Sequence, residues 1–162
     1  MSVPEELVGE RQIASPAEME EHGRRLGAAL GAGDLVVLTG ELGAGKTTLT
    51  RGIGAGLGIR GPVQSPTFVL ARTHPSLVGG PPLVHVDAYR LGSALELDDL
   101  DIDLDGSVVI VEWGRGMAER LVDSWWEIEI DREIGGRGLD TACGEPDLDA
   151  DAPRRVRITR HP

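Results

Sequence analysis

The sequence predicts an α/β fold in which helices flank a mixed, mainly parallel sheet. Three observations predict it. Residues 35–39, 83–87 and 108–112 are short runs dominated by apolar or β-branched side chains, as in strands covered on both faces. Leu49, Ile53 and Leu57 recur every fourth residue, the stripe of a helix that follows the first of those runs. Residues 127–130 and 155–159 alternate polar and apolar, the pattern of half-exposed antiparallel strands that pair with each other. With 162 residues the chain reads as one domain over 1–162, long enough to bury about 68–70% of its unfolded surface.

The elements follow in order. Residues 1–14 are a short strand or arm. Ser15-Pro16-Ala17-Glu18 is a capping box with proline at the first helical position. The helix it opens runs through Met19 and Leu26 to about Leu30, where Gly31 and Gly33 end it. It either lies over a bound nucleotide with Ser15 near it or is a packing helix; the sequence leaves both open. Asp34 turns the chain into the strand 35–39.

Gly40-Glu41-Leu42-Gly43-Ala44-Gly45-Lys46-Thr47 fits G-x-x-x-x-G-K-[ST] between that strand and the next helix. This is the context that gives the motif its meaning as a phosphate-binding loop. A polyphosphate needs many donors at short range. Glycines let backbone N–H groups turn inward, and the helix starting near Lys46 adds its unpaired N–H groups and dipole. Lys46 is placed to reach the β- and γ-phosphates. Thr47 offers its hydroxyl to Mg²⁺, and Thr48 faces the α-phosphate. Lys46 is the only lysine in the chain; every other cationic side chain is arginine. The forked guanidinium does not replace a compact ammonium in this loop. The prediction is therefore a P-loop NTPase-like three-layer fold.

Beyond the loop, Gly56 and Gly58 close the helix. Glycines 52, 54 and 56 each cost ~1 kcal/mol against alanine; they mark either close approach to the sheet or a mobile segment. Residues 64–68 lead into a strand over 68–72. Thr67 stands on this loop, where a P-loop protein brings a threonine to the γ-phosphate and Mg²⁺; a Ser-Pro turn explains the stretch equally well. Residues 74–82 are a Pro/Gly hairpin connection. The strands 83–87 and 108–112 end in Asp87 and Glu112. A carboxylate at the C-terminal end of a parallel strand beside the phosphate loop suits a Mg²⁺ ligand or a water-orienting base. His85 is read as a packed strand residue. Residues 94–104 form a short acidic helix, and a second helix lies around 117–122. Residues 135–153, rich in Gly and Asp, are a mobile acidic loop.

Composition narrows the function. One cysteine excludes an internal disulfide, and there is neither a leader pattern nor a membrane-length apolar run, so a cytoplasmic protein without a membrane partner is expected. A formal net charge of −11, with three Trp, one Tyr and one Phe, argues against gripping a nucleic acid directly. The guanine motif N-K-x-D is impossible with the sole lysine in the loop. Asp103-Leu104-Asp105-Gly106 matches D-x-x-G but precedes a strand, so ATP is favoured over GTP. A Mg²⁺-dependent ATPase, a small-molecule kinase and a non-hydrolysing scaffold remain open.

The set GELGAGKTTL (40–49), SPTF (65–68), VDAYRL (86–91) and VEWG (111–114), in this order, resembles the TsaE (YjeE) family over about residues 15–131. The resemblance implies an ATPase of tRNA threonylcarbamoyladenosine biosynthesis, weak alone and stimulated by partners. Those partners are the TsaD–TsaB pair, with tRNA reached only through it. It implies ATP/ADP and Mg²⁺ as ligands, phosphates held by Gly43, Ala44, Gly45, Lys46, Thr47 and Thr48, and metal held by Thr47 and Glu112. Asp87 becomes a catalytic or outer carboxylate. Thr67 belongs to a switch-like loop, Trp113 supports Glu112 or a partner surface, and Ser15 falls where the N-terminal helix meets the nucleotide. Arg90 and Arg115 are the candidates for an arginine finger. Gly114 stands where many members have proline, and the 135–153 loop is longer and more acidic than usual.

Overall fold

A computed structural model of the chain describes residues 3–40, 45–59, 71–88, 102–113, 116–117, 120–132 and 153–161. The strands are β1 (Gly9–Ile13), β2 (Leu35–Gly40), β3 (Ala71–His74), β4 (Leu83–Asp87), β5 (Val108–Glu112), β6 (Trp125–Arg132) and β7 (Arg154–His161). The helices are α1 (Pro16–Ala29) and α2 (Lys46–Leu57). The seven strands form one mixed sheet in the order β1-β7-β6-β2-β5-β4-β3.

The centre of the sheet is parallel. β2 pairs with β5 on one side and with β6 on the other, and β5 pairs with β4. The outer ladders are antiparallel: β1 with β7, β7 with β6, and β3 with β4. The expected pairing of the two alternating C-terminal segments is therefore present, with Ile128 opposite Ile158. The same β6 also runs parallel to β2, a neighbour that its polar alternation does not announce.

Side-chain alternation sorts the core into two layers. Val36, Leu38, Val108, Ile110, Ile128 and Ile130 face the helices, where they meet Leu26, Leu49 and Ile53. Leu35, Val37, Val84, Val86, Val109 and Val111 face the other way, against Ile102, Leu104, Met117, Leu121 and Val122. The central strands are buried on both faces, which is why their sequences are nearly unbroken apolar runs.

Helix α1 starts as its sequence foretells. Ser15 Oγ accepts from Glu18 N at 3.2 Å, while Glu18 Oε1 accepts from Ala14 N at 3.2 Å, one residue earlier than in the standard box. The helix packs along α2 at backbone contact. A Cβ on Gly27 would stand 2.1 Å from Ile53 O, and one on Gly52 would stand 2.1 Å from Glu20 O. Gly23 and Gly56 are as tightly placed. Close approach is thus the reason for glycines inside α2, but the partner at Gly52 and Gly56 is α1 rather than the sheet.

Three local expectations change. Gly56 lies inside α2, which ends instead on Gly58 in the left-handed region at φ 76°. Ile102, Asp103 and Leu104 are not helical, and 94–101 lie outside the described residues. Asp103 Oδ1 accepts from Gly106 N at 3.2 Å, so the D-x-x-G stretch is a turn that feeds β5. Around 117–122 the described residues make a single turn, with Arg120 N donating to Met117 O at 3.1 Å. The loop expected over 135–153 falls outside the described residues except at its last position.

Candidate functional site

The sheet brings three chain segments together at one edge of its helix-facing side. β2 ends at Gly40, and α2 begins at Lys46. Gly45 between them caps α2 at φ 110°, a left-handed conformation that glycine adopts without strain. Met19 Cε of α1 lies 3.3 Å from where a Cβ on Gly45 would stand, so the first turns of α1 and α2 meet there.

Lys46 is buried at 8% exposure, an uncommon place for a lysine. Its Nζ donates to Gly40 O at 2.7 Å and lies 3.8 Å from Glu112 Oε1. It also sits 4.3 Å from the centre of the Trp113 ring. The ammonium is thus held by a carbonyl, a carboxylate and an aromatic face, the compensation a buried charge requires.

Glu112 ends β5, and Asp87 stands directly opposite it at the end of β4. By strand alternation both residues lie on the helix-facing side; β5, which carries Glu112, is next to β2, and β4, which carries Asp87, is one strand further out. The second Glu112 oxygen, Oε2, lies 2.5 Å from His85 Nε2. Trp113 then adopts φ 63°, the only positive φ at a non-glycine among the described residues. That turn takes the chain off the sheet at the site, and local backbone strain concentrates at functional positions. Ala88 N donates to Glu112 O at 2.9 Å, which ties the two strand ends together.

The residues singled out from sequence divide as follows. Gly45, Lys46, Asp87, Glu112 and Trp113 converge on one site. Thr47 is exposed and Thr48 half-buried on the first turn of α2. Ser15 caps α1. Gly43, Ala44, Thr67, Arg90, Gly114 and Arg115 lie outside the described residues. A carboxylate and a hydroxyl at a helix N-terminus are hard oxygen donors, the set that suits Mg²⁺ together with phosphate oxygens and water.

The family model described as "Threonylcarbamoyl adenosine biosynthesis protein TsaE" matches residues 13–138, which include every part of this site. The chain belongs to the TsaE family. It is 63% identical over 120 residues to the tRNA threonylcarbamoyladenosine biosynthesis protein TsaE of Streptomyces coelicolor, covering 72% of this chain and 81% of that protein. The namesake from Bacillus subtilis is 38% identical over 122 residues, covering 75% and 76%. The crystal structure of Bacillus subtilis YdiB superposes with a TM-score of 0.65 at 28% identity, over 94% of this chain and 84% of that one. Membership of the TsaE family assigns the chain to tRNA threonylcarbamoyladenosine biosynthesis. Among the described residues no helix is long and apolar enough to cross a membrane.

Sequence reasoning missed His85. It is packed, as expected of a strand histidine, but it also holds the central carboxylate. The available signal was spacing: His85 and Asp87 are two apart on one strand and so share a face.

Proposed function

We propose that the chain is a Mg²⁺-dependent ATPase of the threonylcarbamoyladenosine machinery, acting in the cytoplasm on a TsaD–TsaB protein pair rather than on the tRNA base. The observation that carries this reading is the sole lysine at the first position of α2 with its Nζ 3.8 Å from Glu112. An ammonium, a helix N-terminus and an acceptor carboxylate within one small volume suit a metal-bound polyphosphate. Lys46 exchanges the Gly40 carbonyl for phosphate oxygens. Thr47 and Glu112 would hold the metal, which when bound would supply charge neutralisation at the phosphates. Asp87, beside Glu112, orients water. The net charge of −11 supports tRNA contact through the partner pair alone.

The test is phosphate release from ATP, by the chain alone and with TsaD, TsaB and tRNA. Slow turnover that rises at least tenfold with the partners, and that Glu112→Gln removes, is the expected result. Turnover indifferent to the partners but raised by a small hydroxylated acceptor would replace this reading with a kinase. Tight nucleotide binding without release under any condition would make the chain a scaffold.

A further inference from the structure

We infer that His85 is the positioning residue of the site: it fixes the Glu112 carboxylate so that one oxygen is held and the other is presented to the nucleotide side. The inference rests on the reading of Glu112 as a metal ligand and goes beyond it, to the residue that makes that ligand rigid.

His85 is 1% exposed, on a strand whose flanking residues Val84 and Val86 are core aliphatics. Burying an imidazole costs stability unless its nitrogens are bonded. Here Nε2 meets Glu112 Oε2 at 2.5 Å, while Nδ1 is buried with no hydrogen-bond partner among the described residues. An apolar side chain would fill the position without that half-met demand. Stability therefore does not explain the residue, whereas its one bond does. A carboxylate oxygen is the acceptor in this bond, so Nε2 donates. That bond occupies Oε2 and leaves Oε1 on the Lys46 side, 3.8 Å from Nζ. Neighbouring strands set the geometry: His85 lies opposite Ile110, two residues before Glu112 on the same face of β5. Hydrogen-bonded support of this kind orients a metal-ligating carboxylate and typically changes metal affinity 10–100-fold.

The experiment titrates Mn²⁺ by electron paramagnetic resonance into the full chain saturated with ADP, and separately measures ADP affinity in chelator. The variants are His85→Leu, His85→Asn, His85→Gln and Glu112→Gln. Expected are a roughly 10–100-fold weaker Mn²⁺ affinity for His85→Leu and His85→Asn and recovery to within about threefold for His85→Gln, whose longer amide reaches Glu112. Metal-free ADP affinity should stay within about twofold in all three, since the phosphate loop is untouched. Thermal unfolding confirms the folded state; if His85→Leu does not fold, the contrast between His85→Asn and His85→Gln decides. Weakened Mn²⁺ binding in Glu112→Gln but not in the Leu or Asn variants would overturn the inference and leave Glu112 as ligand. Equal loss in the Gln and Asn variants would reduce His85 to a packing residue. Unchanged Mn²⁺ binding in Glu112→Gln would overturn the ligand assignment itself.

Discussion

The helix-facing side of the sheet carries two seams built on opposite terms. Along α1 and α2, glycines bring two backbones together, and nothing larger than hydrogen fits between them. At the strand ends, Lys46, Glu112 and His85 are held by charge and hydrogen bonds, and much of the contact is made by long side chains. The first seam is specified by shape and fails when an atom is added. The second is specified by charge and fails when a partner is removed. The two meet at Gly45, the N-cap of α2, which Met19 of α1 reaches. The glycine seam thus sets where the N-terminus of α2 points.

Adding atoms to the glycine seam should have the largest effect. Alanine at Gly27 or Gly52 gains ~1 kcal/mol of helix propensity each. Against that, each methyl would lie 2.1 Å from a carbonyl oxygen of the facing helix, so the helices must part. The double variant Gly27→Ala/Gly52→Ala should lose about 4 kcal/mol or more in denaturant unfolding, a large share of a typical domain's stability. A midpoint that rises, as propensity alone demands, would break the comparison.

Removing charge from the other seam should leave the fold and remove the function. Lys46→Ala should reduce ATP-dependent phosphate release by at least about a hundredfold, equivalent to ~2.7 kcal/mol, with the circular dichroism spectrum unchanged. Activity that survives would refute the site.

A third change tests a buried group that serves neither seam. His22 lies on α1 in a cleft of about 360 Å³ shared with Arg11, Gln12, Glu18, Glu21 and Arg25. Burial, with smaller contributions from the Arg11 and Arg25 guanidiniums, pushes its pKa down to about 4. Between about pH 6.5 and pH 4 the unfolded chain binds a proton that the folded ring refuses. Stability is therefore fully present above that window and falls as pH falls through it, by about 2–3 kcal/mol. His22→Leu should flatten this part of the pH profile of thermal unfolding relative to the parent; parallel profiles would refute it. The smallest effect belongs to the cap. Ser15→Ala should cost about 1 kcal/mol of stability, read by chemical denaturation, and no change would show that Glu18 alone holds the helix start.

Much of this was legible in the chain itself. Leu83–Asp87 and Val108–Glu112 were bounded as strands because apolar runs end where a carboxylate meets the sheet edge. The N-cap and the start of α2 were legible because capping and phosphate-loop motifs are contiguous. Less legible were features that depend on a distant neighbour. Gly56 reads as a stop signal until α1 is placed against it. His85 reads as a core residue until Glu112, 27 positions later, is brought to its side.

The sequence by itself determined the α/β alternation, the G-x-x-x-x-G-K-[ST] motif with its single lysine, the capped N-terminal helix and the family. All of these rest on local spacing, which a chain carries in one dimension. Only the tertiary structure decided that β6 joins β2 in parallel, that Gly52 and Gly56 of α2 face α1, and that His85 holds Glu112. Each of those depends on which backbones come within van der Waals or hydrogen-bond reach, and that is fixed by packing the whole chain at once.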